Sequence, residues 1–436
     1  MKKNKGVELW NRAKKVIPGG TQLLSKRSEM FLPDQWPSYF KRAKGVEVWD
    51  LEDNHYIDMS IMGVGTCILG YADDDVNRAV KKVIDTGSMC TLNSPEEVEL
   101  AELLLSIHPW AGMVRYARSG GEAMAMAVRI GRAFTRKDKL AFCGYHGWHD
   151  WYLSANLADS SNLDGQLLPG LQPIGVPRVL KGTAIPFNYN KVDELHKIVQ
   201  NNDIGVIVVE PVRHHEPEND FLGQVREIAD SIGAVLIFDE ITSGWRMNIG
   251  GIHELYNVHP DVVVYGKAMS NGFPMAAVVG EGNVIDMAQV SFVSSTYWTE
   301  RIGPTAAIAT INKMSKNNVP AHLCRIGDLV REGWKKTAKK HNLSITIMGI
   351  APLPMFQFNY ANGQALHTLF TQEMLSREFL ASKTVYVTFS HSEELVKKYL
   401  QCTDEVFGLI KKAIKDDNVA ELLKGPVAHT GFKRLA

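Results

Sequence analysis

The chain lacks the marks of several large protein classes. Its 436 residues include only five cysteines, Cys67, Cys90, Cys143, Cys324 and Cys402, unevenly spaced and with no CxxC pair. That excludes a disulfide framework and a cysteine-based zinc motif, and predicts reduced thiols in a cytoplasmic protein. Charge of one sign is not in excess: 48 Lys+Arg stand against 48 Asp+Glu. Nothing therefore points to nucleic acid or an anionic membrane as a partner. No apolar run is long enough to span a bilayer. The basic start Met1-Lys2-Lys3-Asn4-Lys5 leads into an amphipathic helix pattern, not into the apolar stretch of a signal peptide. There is no internal repeat or low-complexity tract. The histidines of Tyr145-His146-Gly147-Trp148-His149-Asp150 and the pair His214-His215 lack a third ligand at metal spacing, so no metal site is expected.

What is present is a 45% hydrophobic chain long enough for two or three domains. Residues 6–17 read as a helix closed by Pro18-Gly19-Gly20, and 46–58 as a hairpin. From about residue 74 helices alternate with strands. Helices are predicted near 74–86, 95–107, 121–134, 191–201 and 220–232, and strands near 113–117, 139–143, 205–210, 234–239, 261–265 and 275–280. That alternation predicts an α/β fold with a doubly wound, mainly parallel sheet. After about residue 305 come two amphipathic helices, near 303–315 and 320–341. Strand candidates follow at 344–348, 355–358 and 385–389. A helix capped by Ser392 completes a smaller α+β domain. The predicted division is 1–60 (helix and hairpin, part of the small domain), 61–305 (large domain) and 306–436, with a tail from about Gly425.

The chemistry centres on Lys267. The apolar run Val262-Val263-Val264-Tyr265 reads as a buried strand and delivers this lysine at its end, just after Gly266. A buried ammonium is costly unless it is neutral or covalently used. A Schiff base with pyridoxal phosphate is the use that fits best. The strand Ala234-Val235-Leu236-Ile237-Phe238 ends in Asp239-Glu240, which supplies a carboxylate for a pyridine nitrogen. Upstream, Ser119-Gly120-Gly121-Glu122 opens a helix after a strand, a place suited to a phosphate. Tyr145, beyond the strand 139–143, is an aromatic able to stack on a planar cofactor, although ordinary packing is open to it as well.

Together with Ile17-Pro18-Gly19-Gly20, Tyr56-Ile57-Asp58, Ile68-Leu69-Gly70, Tyr145-His146-Gly147, Glu210-Pro211-Val212 and Gly266-Lys267, these motifs fall in one order along residues 6–415. On them the chain resembles the class III (ω-type) aminotransferases of fold type I, and within that class glutamate-1-semialdehyde 2,1-aminomutase. The resemblance implies pyridoxal 5'-phosphate as cofactor, with Lys267 as its covalent anchor and as general acid/base. Asp239 would face the pyridinium nitrogen, and Ser119, Gly120 and Gly121 would hold the phosphate. Tyr145 and Ile241 would cover the two ring faces, and Glu210 would support the site. Thr296 would reach the phosphate of a neighbouring subunit, which implies a homodimer with shared sites.

Departures from that family pattern fall where substrates sit. Gly121 replaces a Thr or Ser, and His215 stands where an asparagine lies beside the cofactor's phenolic oxygen. Lys26 or Arg27 takes the position of a carboxylate-binding arginine. The loop 295–304 is aromatic and charged where the aminomutase is small and polar. Lys26, Arg27, Arg213, Trp298 and Arg301 are the expected substrate contacts, with surface ion pairing the alternative for the arginines. Ping-pong transfer from a small-molecule amino donor to a carbonyl acceptor is the leading expectation. Intramolecular aminomutase action is the second, and a non-catalytic cofactor-binding protein the third.

Overall fold

A computed structural model describes residues 5–166 and 169–431. The basic start before Lys5 and the end of the tail lie outside the described residues. Packing divides the chain into two compact units, Asp74–Pro320 and a second formed by Met1–Asp73 with Ala321–Ala436. Relative to the predicted boundaries, residues 61–73 go with the smaller unit and 306–320 with the larger. No helix among the described residues is long and apolar enough to cross a membrane.

The smaller unit opens with the helix Lys5–Val16 and the strands β1 (Phe40–Lys44), β2 (Glu47–Asp50) and β3 (His55–Met59). The predicted hairpin is the antiparallel pair β2–β3, in register Glu47 to Ile57. Asp50 ties its turn by accepting from the backbone N–H groups of Glu52 and Asn54 at 2.8 and 2.9 Å.

The larger unit is built on β4 (Met113–Ala117), β5 (Lys139–Cys143), β6 (Ala184–Pro186), β7 (Ile204–Val209), β8 (Val235–Asp239), β9 (Val262–Tyr265) and β10 (Ala276–Gly280). They form one sheet in the order β4-β10-β9-β8-β7-β5-β6. The strands β6, β5, β7, β8 and β9 are mutually parallel. Only β10 runs against both its neighbours, β9 and β4. The cause is the short link from Gly266 to Met275, since a parallel return needs a crossover of about a dozen residues or more. Every residue of β7, β8, β9 and β10 is buried. Unbroken Val/Ile runs suit strands covered on both faces. The helix Gly120–Thr135 supplies Ala123, Met124, Ala127 and Ile130 to the core on one face.

Parallel strands end at the same edge. The chain leaves β5 toward Tyr145, β7 at Glu210, β8 at Asp239 and β9 toward Lys267. The sheet therefore gathers at one edge residues that the sequence spreads over more than a hundred positions.

In the C-terminal part of the smaller unit, β11 (Ile345–Met348) and β12 (Met355–Phe358) pair antiparallel. A three-residue strand, β13 (Phe379–Ala381), joins β3 in parallel. The strand expected over 385–389 does not form a ladder. Its five N–H groups go to five residues instead: Val385 to Pro354, Tyr386 to Ser60, Val387 to Pro352, Thr388 to the His391 ring and Phe389 to Ile68. The segment is a seam between elements, and its alternating apolar residues imitate a strand. Ser392 caps the helix Glu393–Lys415 by accepting from the Leu395 N–H at 3.2 Å.

Candidate active site

Lys267 sits just past the end of β9 and opens a single 3₁₀ turn, Lys267–Ser270. Its φ is +40°. A β-carbon in this left-handed region costs on the order of 1–2 kcal/mol, so the conformation has to be held by its surroundings. The Nζ donates to Thr242 Oγ1 at 2.7 Å. Burial, then the charge of Arg213 and to a lesser extent that of Arg246, pull the Lys267 amine down to about 7; Glu210 and Asp239 oppose this. The amine is thus half neutral near neutral pH, and an amine must be neutral to act as nucleophile or base.

Asp239 is buried at the end of β8. Its Oδ1 accepts from the Ile241 N–H at 3.1 Å, and its Oδ2 lies 2.8 Å from His146 Nδ1. His146 Nε2 is 3.2 Å from the Cys143 carbonyl. A carbonyl only accepts, so Nε2 carries a proton. One further proton is then shared between His146 Nδ1 and Asp239 Oδ2. His146 orients the carboxylate from behind, a role the sequence did not reveal.

Glu210 joins two neighbours. Its Oε2 accepts from the Tyr145 N–H at 2.8 Å and its Oε1 from Arg213 Nη1 at 2.9 Å. Burial raises the Tyr145 phenol, and the charges felt there include Arg213, Glu210 and Asp239. Arg213, His214 and His215 line a cavity of about 180 Å³ with Glu210, Gly144 and Tyr189. His215 itself is exposed at its rim.

The turn Arg118–Glu122 starts the helix Gly120–Thr135. Glu122 Oε2 accepts from the backbone N–H groups of Arg118 and Ser119 at 3.2 and 2.9 Å and from the Ser119 hydroxyl at 3.0 Å. The N–H groups of Gly120, Gly121 and Glu122 begin the helix and have no intrahelical acceptor. A β-carbon on Gly120 would come within 2.8 Å of Ile241 Cδ1, and one on Gly121 within 2.9 Å of His149 Cε1. Bare glycines are thus needed here, and Ile241 bridges from the β8 end to the turn. His149 fills the space that a larger residue at 121 would take. Its Nδ1 is buried with no hydrogen-bond partner among the described residues.

The residues expected to hold the cofactor therefore divide. Ser119, Gly120, Gly121, Tyr145, Glu210, Asp239, Ile241 and Lys267 share one sheet edge, with Arg213 and His215 at the adjoining cavity. Thr296 is exposed on the turn Thr296–Thr299 and lines neither. Trp298 lines a separate depression with Arg115, Tyr116 and Ser295. The Arg301 guanidinium forks onto the Glu96 carboxylate, an ion pair of the kind weighed against its substrate role. Lys26 and Arg27 belong to the smaller unit, at the turn Leu24–Lys26.

The edge fits pyridoxal phosphate. It offers a nucleophilic amine, a carboxylate fixed by a histidine, and a helix start kept clear by two glycines. With the sheet order, that defines a pyridoxal-phosphate-dependent transferase of fold type I. The chain belongs to the aminotransferase class-III family, whose model matches residues 33–362. A 3-aminobutyryl-CoA aminotransferase of Cloacimonas acidaminovorans (strain Evry) is 28% identical over 95% of this chain and 99% of its own. A glutamate-1-semialdehyde 2,1-aminomutase of Fusobacterium nucleatum subsp. nucleatum is 32% identical, over 80% of this chain and 81% of its own. Among solved structures, the FumI protein of Sphingopyxis sp. MTA144 in its PLP internal aldimine form superposes with a TM-score of 0.86. It is 22% identical and covers 95% of this chain and 98% of that one.

The lowered amine has a measurable consequence. The rate at which cofactor-free protein captures pyridoxal phosphate should rise about tenfold per pH unit below neutrality. It should level off above about 7, where Lys267 is already neutral. Stopped-flow absorbance across pH checks this. A rate still climbing toward 10.5, the ordinary lysine value, would contradict it.

Proposed function

We propose that this aminotransferase works between two separate small molecules, an amino donor and a carbonyl acceptor, at least one of which carries a carboxylate or similar anion. The observation that carries this is Arg213. It faces the cavity beside Glu210, and its charge is felt at Lys267. A guanidinium there can orient an anionic group on a substrate whose reacting carbon lies at the lysine. Glutamate is the default donor.

When bound, pyridoxal phosphate supplies an aldehyde that condenses with amines and a ring that draws off the electron pair left by a departing proton. The protein's part follows from its own groups. Lys267 Nζ, steadied by Thr242, would accept the proton that leaves the donor's carbon and hold it for return. Asp239, fixed by His146, would set its carboxylate toward the ring nitrogen. Gly120 and Gly121 would offer backbone N–H groups to the phosphate. His149 Nδ1 would donate there in place of the hydroxyl that Gly121 lacks. Tyr145 and Ile241 would flank the ring, and His215 would reach toward its phenolic oxygen. Lys26 or Arg27 remains a proposed carboxylate anchor from the smaller unit.

We further propose a cytoplasmic homodimer. The five cysteines are unpaired thiols. The segment carrying Thr296 exposes Val290, Phe292 and Tyr297 by 76%, 86% and 70%. So much adjacent apolar surface on one segment fits an interface. In this reading a second copy covers it, and Thr296 and Trp298 act at the partner's site.

The alternative is aminomutase action, favoured by relatives such as the F. nucleatum protein. Half-reactions separate the two. Enzyme treated with an excess of glutamate or another amine and then desalted should have released a keto product, and should pass the nitrogen to an added carbonyl acceptor. Turnover of glutamate 1-semialdehyde without any external amine, with no reaction of separate donors, would overturn the proposal.

A further inference from the structure

Beyond the cofactor edge, the chain between β8 and β9 carries a second cluster of side chains with a distinct chemistry. Glu240, the residue after Asp239, is fully buried, and its carboxylate bonds into this loop. Its Oε2 accepts from the Ile252 N–H at 2.6 Å, and its Oε1 from the His253 N–H at 3.0 Å and His253 Nδ1 at 2.6 Å. The bond to Glu240 places a proton on His253 Nδ1, and in the neutral ring Nε2 then presents its lone pair. That nitrogen is buried and has no hydrogen-bond partner among the described residues.

Three potential ligand atoms converge there. His253 Nε2 lies 3.3 Å from Glu254 Oε1, which lies 3.8 Å from His259 Nδ1. All three are within 4.8 Å of one another. Ligands about 2.0–2.1 Å from a tetrahedral metal stand roughly 3.3–3.5 Å apart. The cluster is already near that spacing. We propose that His253, Glu254 and His259 form a binding site for a divalent transition metal of the zinc class.

The surroundings are those of a metal site. Glu240 fixes the tautomer of His253, as an outer carboxylate does for a metal-bound histidine. Trp110 Nε1 donates to Glu254 Oε1 at 3.1 Å, and its ring stands edge-on to His253 at 5.7 Å. Two nitrogens and one carboxylate oxygen suit zinc better than calcium or magnesium. His253 is fully buried, while the His259 side chain is 52% exposed. The site therefore opens on the His259 side, where an ion enters and water completes the coordination. A divalent cation also balances the carboxylates of Glu240 and Glu254. The competing occupant is a proton on His253 Nε2, which gives a buried imidazolium between two carboxylates. The metal, by contrast, ties the loop 252–259 to the strand end that carries Asp239.

Chelator-washed holoenzyme titrated with Zn²⁺ by calorimetry, and with Co²⁺ by visible absorbance, tests this. One ion per chain should bind, and Co²⁺ should give the intense bands of a four-coordinate site. His259→Ala, at an exposed position that leaves the core intact, and Glu254→Gln should each weaken binding at least ~10-fold, the least expected when even an outer partner is lost. No binding to the unaltered protein, or binding that both variants leave unchanged, overturns the proposal.

Discussion

Replacing Lys267 by alanine is expected to lower turnover at least ~10³-fold while leaving the fold and cofactor binding in place. General acid/base transfer by a positioned side chain contributes about 10²–10⁴-fold, and in the proposed mechanism the same side chain is also the covalent anchor. The other groups proposed to hold the cofactor are ones the substitution does not touch: the Gly120–Gly121 turn, the Asp239–His146 pair and Tyr145. The lysine's own environment predicts the direction. Its amine is held at Thr242 Oγ1, 2.7 Å away, and brought down to about 7. Alanine removes a base that is available near neutral pH, and a guanidinium, which does not give up its proton in proteins, cannot replace it. Small amines added to the Lys267→Ala protein should restore part of the rate, because the cavity left is the size of the lost side chain. Steady-state kinetics with and without such an amine check both parts. Activity above a tenth of the original would remove Lys267 from the mechanism.

Asp239→Asn should be the second most damaging change, with kcat lowered about 10²–10³-fold, or roughly 3–4 kcal/mol of transition-state stabilisation. The two side chains are nearly the same size, so packing at the end of β8 is kept. The lost element is charge. An amide cannot balance a protonated ring nitrogen, and the proton shared by His146 Nδ1 and Asp239 Oδ2 no longer has a carboxylate to pair with. The effect should fall on kcat more than on KM, because the charge matters most when electrons move into the ring. A loss below about threefold would mean that another group faces the nitrogen.

The parts of this site that were legible in the sequence share a physical origin: each announces itself locally. Lys267 follows an apolar run, Asp239 ends one, and Ser119-Gly120-Gly121-Glu122 is a helix start spelled in consecutive residues. The strands 113–117, 139–143 and 355–358 were legible for the same reason, since a short apolar run bounded by turns needs no distant information. What was not legible depends on partners far along the chain. His146 meets Asp239 across 93 residues and Thr242 meets Lys267 across 25. The pair of Arg301 with Glu96 spans 205 positions, so no local pattern announces it. The three-residue β13 is defined only by β3, and β6 is three residues ending in proline, too short for any periodicity. The 385–389 segment had the alternation of a strand, but its hydrogen bonds are divided among several segments and make no ladder. His253 and His259 carry no recognisable metal motif; the bond that turns His253 Nδ1 to Glu240 is visible only in the fold.

The central claim is that the Lys267 amine holds pyridoxal phosphate covalently. Reduction of the cofactor-loaded protein with borohydride, followed by digestion and peptide mass spectrometry, tests it most directly. The account predicts one phosphopyridoxyl group per chain, on Lys267, with the visible absorbance of the cofactor lost on reduction. A label on a different lysine, or an unlabelled Lys267 in protein saturated with the cofactor, would contradict it.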